Sequence, residues 1–177
     1  MGTAIPGSSA SCVTPEGMDM AGFSHAVTLL VADSCGAFRE MGAADWRRAR
    51  GDGQWTRLEI LGHLVDSASN NHQRFVRAIA QGELVWPGYD ADAMVRVQQY
   101  GTEAPAMLIG FWESYNLHLA RLMGLIPEER LAARCVIGGE GELTLELLVI
   151  DYVRHMQHHL RQIFEGMEPR VRWVDAG

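Results

Sequence analysis

The chemistry of this chain gathers between Asp151 and Phe164, DYVRHMQHHLRQIF, where three of the seven histidines fall within five positions. At 3.6 residues per turn, Leu148, Tyr152, His155, His159 and Ile163 form one inward stripe, and Asp151, Arg154, His158, Arg161 and Glu165 form a separate charged face. His155 and His159 therefore point inward together, and His158 does not. Two imidazoles one helical turn apart have Cβ atoms about 6 Å apart, so both can reach a first-row metal ion about 2.0 to 2.1 Å from each nitrogen. Taken alone, the same spacing more often marks two histidines satisfied by hydrogen bonds in a helical core, and a metal site needs a third ligand from elsewhere.

The candidate third ligand is His63, on a helix that announces its own start. Thr56 and Glu59 have the spacing of a capping box, and Trp55 and Ile60 occupy the positions of a hydrophobic staple. Leu61, Leu64, Val65, Ala68, Phe75 and Ile79 then supply an apolar stripe ended by Gly82, with His63, Ser67, Asn70 and Arg74 beside it as a polar strip. Three more helices are expected: one from Phe23 to Met41, one capped by Thr102 and ended by Gly124, and one from Thr144 to Gly166 that carries the histidine cluster. The stretches between them read as connections, that from Gln81 to Gly101 including a short helical turn around Ala91 to Gln98. No alternating strand pattern stands out, so the expected fold class is all-α, a four-helix bundle.

Whether the three histidines can meet depends on helix direction. His63 lies seven residues after Thr56 and His159 seven before Gly166, so each is about 10 Å from its helix end. Antiparallel second and fourth helices would put them at one level, whereas an up-down-up-down bundle would offset them by roughly 6 to 12 Å. The long connection after Gly82 can span a whole bundle, which permits an up-down-down-up topology with a long crossover between helices 2 and 3. His25 and His118 fall at other levels and are not expected as ligands.

Composition narrows the classes. With 177 residues, 47% of them hydrophobic, the chain suits one domain: a flexible, Gly/Pro/Ser-rich leader over residues 1–18 and a bundle over 19–177. A net charge of −7, with no lysine and no basic stripe, argues against nucleic acid as a partner. No apolar run reaches the roughly 20 residues of a membrane span, and the three cysteines, Cys12, Cys35 and Cys135, lack the spacing of a disulfide framework or metal motif. A cytoplasmic protein is expected, and apolar bundle faces make a homodimer plausible.

Three segments together resemble the DinB-like (DinB/YfiT-like) superfamily of metalloenzymes: WTRLEILGHLVDS from Trp55, NNHQRFVRA from Asn70, and HMQHHLRQI from His155, the last similar to that family's HxxHHxxQI signature. The resemblance runs from about Phe23 to Met167. It implies an up-down-down-up four-helix bundle and a zinc or nickel site whose ligands map onto His63, His155 and His159. Some relatives in that superfamily use a low-molecular-weight thiol as cosubstrate.

Three neutral imidazoles leave a coordination position open to water or substrate, as catalytic zinc sites do. No cysteine is placed as a nucleophile and no acid matches the general base of HExxH, which tilts the expectation toward a thiol-dependent S-transferase or isomerase. The alternatives are a metal-dependent hydrolase and a bundle that binds metal without turnover. Two further expectations follow from the assumed levels. Arg47, Arg48, Arg50, Arg170 and Arg172 would crowd the mouth of the site and favour an anionic small-molecule substrate, unless they are simply solvated. Asn70 to His72, Asn116 to His118, Asp151 and Tyr152 would lie at equal depth, as a buried polar network or else on the surface.

Overall fold

The computed structural model describes residues 19–176; the leader expected over residues 1–18 lies outside them. In chain order these residues form α1 (Met20–Glu40), α2 (Ala43–Trp46), α3 (Arg57–Gln81), β1 (Glu83–Trp86), α4 (Ala91–Gln98), a 3-10 turn (Tyr100–Thr102), α5 (Pro105–Met123), α6 (Glu128–Leu131), β2 (Arg134–Ile137), β3 (Glu140–Thr144) and α7 (Leu145–Ile163). The four long helices α1, α3, α5 and α7 enclose one core. Phe38, buried in the last turn of α1, makes ring contacts to Trp46, Trp112 and Phe164 at centroid distances of 5.2 to 5.4 Å.

The expected capping box fixes the start of α3. Thr56 N donates to Glu59 Oε2 at 2.7 Å, and Glu59 N donates to Thr56 Oγ1 at 3.3 Å, so two otherwise orphaned amides are satisfied reciprocally. The helix stops at Gly82, whose φ of +81° is the left-handed conformation that glycine adopts without a Cβ penalty. The buried Arg57 joins this start to the end of α7, donating to Glu165 O at 2.6 Å. The crossover then returns the chain to the same end: Arg47 donates to Gly101 O at 3.0 Å, and Tyr100 packs on Gly62 so closely that an added Cβ would lie 2.2 Å from its ring. Along α1 and α5, Ser24 donates to Ala120 O at 2.6 Å while Phe38 meets Trp112, so these two helices run antiparallel.

The expected all-α class needs correction, because β1, β2 and β3 form a three-stranded sheet in that order. Glu83–Trp86 pairs in parallel with Arg134–Ile137, and β2 pairs antiparallel with β3 across a turn in which Gly138 and Gly139 both have positive φ. These strands have only four or five residues, too few for a period-2 pattern to stand out. Two helix boundaries also differ. Pro105 opens α5 at its first turn, where a missing N–H costs nothing, leaving Thr102 in the preceding 3-10 turn. α7 ends at Ile163, short of Gly166. No helix among the described residues is long and apolar enough to cross a membrane.

Candidate metal centre

His63 leaves the second turn of α3 toward α7, where His155 and His159 sit one turn apart on the facing side. One nitrogen from each of the three lies within 4.8 Å of the others, and no carboxylate or thiol joins the group among the described residues. His63 Nε2 is 3.2 Å from His155 Nε2. Three ligands of a tetrahedral ion at about 2.05 Å must stand about 3.3 Å apart, so this separation fits a shared ion. The rings are arranged edge to face, with centroids 5.1 Å apart for His63 and His155, 4.7 Å for His63 and His159, and 4.6 Å for His155 and His159.

The outer nitrogens bear on which tautomer each ring adopts. His159 Nδ1 lies 2.8 Å from Gln162 Oε1, an acceptor, so it carries the proton and leaves Nε2 free to ligate. His155 Nδ1 lies 3.4 Å from Ser67 Oγ, which can accept the same kind of bond. His63 Nδ1 is buried with no partner. Burial holds His63 far below the ordinary imidazole range, at about 3, and His159 and His155 push it the same way. Burial likewise takes His155 down to about 4, with His159 and His158 adding to the effect. His159 is lowered by burial, partly opposed by its bond to Gln162. All three are therefore neutral at physiological pH, the form that ligates a metal.

A cleft of about 360 Å³ opens at the centre, lined among others by Trp55, Ile60, Gln162, His159, Arg50 and Asp92. The Trp55 ring packs against His63 at 5.0 Å and against His159 at 6.5 Å, forming one wall. Of the five arginines expected at the mouth, only Arg50 lines this cleft, and its Nε is already held by Glu165 at 2.7 Å. Arg172 is drawn away by a two-pronged pairing with Asp33 on α1, both contacts at 2.7 Å. The tail that carries it runs back along α7, where Gln157 Nε2 donates to Val174 O at 3.0 Å.

The expected polar layer forms in part. Tyr152 donates to the buried Asn116, which donates to Trp112 O at 2.8 Å, and the buried Asn71 bonds Ser67 O at 2.9 Å and accepts from Arg74 at 3.3 Å. His118 and Asp151 are exposed, and His72, half-buried, bonds Tyr115 instead. Sequence reasoning missed the support on the other side of α3, where the buried Asp66 accepts from Tyr100 at 2.8 Å and from Gln98 at 2.7 Å. It also missed the parts played by Gln162 and Trp55. Gln162 carried a signal in the HHxxQ spacing; Tyr100, remote in sequence, carried none.

Side chains that converge from facing helices of a bundle are the arrangement in which metal and ligand sites are built. Residues 32–163 match the family model of the DinB superfamily, and the chain belongs to that superfamily. It is 24% identical over 123 residues to a Bacillus subtilis (strain 168) protein named "Putative metal-dependent hydrolase YfiT", spanning 69% of this chain and 68% of that protein. The solved structure of Bacillus subtilis YfiT, described as "a probable metal-dependent hydrolase with an unusual four-helix bundle topology", superposes with a TM-score of 0.77 at 20% identity, over 95% of this chain and 97% of that one. At that identity the superposition speaks for the fold.

Proposed function

We propose that this protein is a metal-dependent enzyme in which His63, His155 and His159 hold one divalent ion, zinc or nickel, facing a small-molecule substrate in the Trp55 cleft. The observation that carries this is the convergence of three neutral imidazoles, two of their nitrogens 3.2 Å apart, beside that cleft. When bound, such an ion supplies Lewis acidity, drawing the pKa of a coordinated water or thiol toward neutrality and polarising an electrophile. The chain's own residues do the rest. Burial keeps the imidazoles unprotonated, Gln162 and Ser67 accept the Nδ1 protons, and Trp55 shields one side of the site from water. With three protein ligands, an ion held there would keep a position for water or substrate.

Hydrolysis is the first reading of the reaction, because the related Bacillus protein carries that description. Transfer or isomerisation with an exogenous low-molecular-weight thiol is the second. It is supported by the state of Cys35 and Cys135, both buried and so not placed as internal nucleophiles, with burial pushing the Cys35 thiol up to about 12. An up-down-down-up order belongs to the same proposal, supported by the parallel pairing of β1 with β2 and by the crossover that returns the start of α5 to the start of α3. A homodimer is proposed through exposed Met107 and Phe111 of α5, and a reducing cytoplasm suits Cys35 and Cys135, the free cysteines among the described residues. Protein loaded with zinc or nickel should be assayed against activated esters and amides, and for conjugation of small thiols to electrophiles. Metal-dependent turnover abolished by His159→Ala supports the enzyme, and which assay responds separates the two reactions. Full loading with no turnover in either assay would favour a bundle that binds metal without catalysis.

A further inference from the structure

His158 stands outside the converged group yet is tied to it. Gln162, one turn further along α7, touches both neighbours: its Oε1 lies 2.8 Å from His159 Nδ1 and its Nε2 lies 2.9 Å from His158 Nε2. A carboxamide has unlike ends, an acceptor and a donor, so its orientation dictates what each ring must offer. As it stands, His159 gives an Nδ1 proton to the oxygen, which leaves the Nε2 lone pair for a metal, and the amide N–H faces His158 Nε2, which accepts it when His158 carries its own proton on Nδ1. Turned over, the amide would present N–H to His159 Nδ1. That nitrogen could then bond only by giving up its proton to Nε2, and the lone pair needed for ligation would be lost.

We propose that His158 is a positioning residue of the metal centre: in its Nδ1–H tautomer it accepts the Gln162 amide N–H, and so favours the amide orientation that keeps His159 in its ligating tautomer. The inference rests on the three-histidine reading and adds to it a residue that coordinates nothing. It also assigns distinct tasks to the two adjacent histidines and the glutamine of HMQHHLRQI. A donor at position 158 favours the wrong orientation of the amide, whereas the loss of any partner there merely stops favouring the right one.

The test is a set of zinc affinities, measured by competition with a chromogenic chelator, together with nitrogen NMR of the histidine tautomers in metal-free protein. Gln162→Leu should weaken zinc binding about tenfold to a hundredfold, the usual effect of removing a partner of a ligating histidine. His158→Ala should weaken it less, and His158→Lys, which only donates, more than His158→Ala. The charge of lysine is controlled by the Gln162→Leu background, where both His158 substitutions should lose their excess effect, because they act through the amide. In metal-free His158→Lys protein the His159 proton should move from Nδ1 to Nε2. Equal effects of the His158 substitutions with and without Gln162, or a His159 tautomer indifferent to position 158, would overturn the proposal. Wild-type protein that binds no zinc would sink the metal reading itself, while the tautomer measurement would still judge the coupling.

Discussion

His63 is the most confined of the three histidines, with 3% of its surface exposed and an unpartnered ring nitrogen, and this makes the metal-free protein sensitive to acid. Its folded pKa of about 3, and that of His155 near 4, lie below the unfolded value near 6.5. Between those limits the unfolded chain binds more protons than the folded one. Stability is therefore fully present above pH 6.5 and is lost as pH falls, by up to about 1.4 kcal/mol per pH unit for each residue that stays neutral. Urea denaturation of metal-free protein at pH 7 and pH 5 should show this loss, and His63→Gln should reduce it; a midpoint unchanged between the two pH values would refute it. At this scale much was legible in the sequence. Helical periodicity separates His155 and His159 from His158, since one residue along a helix rotates a side chain by about 100°. The wheel gives directions but no hydrogen bonds, so the tie of His158 to the site through Gln162 shows only in the folded protein.

Among the elements, α3 carries the greatest load, and its neighbours test it. Gly62 precedes His63, and the Tyr100 ring occupies the space a Cβ would fill. Gly62→Ala should displace Tyr100, take from the buried Asp66 one of its two donors and lower stability by about 1 to 3 kcal/mol in spite of the better helix propensity of alanine. A neutral or stabilising result in thermal denaturation would show that this contact is dispensable. Asn116→Leu should cost a similar amount, about 1 to 3 kcal/mol, by leaving the Tyr152 hydroxyl buried without its acceptor, and Asn71→Leu should do the same to Arg74. Chemical denaturation with both variants unchanged would dismiss the polar layer. The start of α3 could be read from Thr56 and Glu59 because a cap is local chemistry. The sheet could not, because β1 finds β2 about fifty residues later, and pairing at that distance leaves no mark on a four-residue segment.

For the molecule as a whole, the histidines lie near the end of the bundle where α3 begins and α7 stops, roughly 27 Å along α3 from the strand that follows it. An ion bound there would join two long helices that the chain links only through the crossover, α5 and the sheet. Metal should therefore act as a staple: at a hundredfold excess over its dissociation constant it should add about 2.7 kcal/mol, reversed by chelator and absent in His63→Ala. Of the positively charged mouth expected from the arginine-rich loop and tail, Arg50 alone lines the cleft, and ion pairs with Glu165 and Asp33 engage Arg50 and Arg172, partners that sequence spacing cannot anticipate. The helical core and the histidine level were legible because both depend on periodicity and length. The central claim is that His63, His155 and His159 together hold one ion. It is tested most directly by elemental analysis of protein dialysed against saturating zinc or nickel. Wild type and His158→Ala should each retain one ion per chain, and His63→Ala, His155→Ala and His159→Ala should retain almost none. Full occupancy in the His155→Ala protein, or its loss in His158→Ala at saturation, would contradict the account.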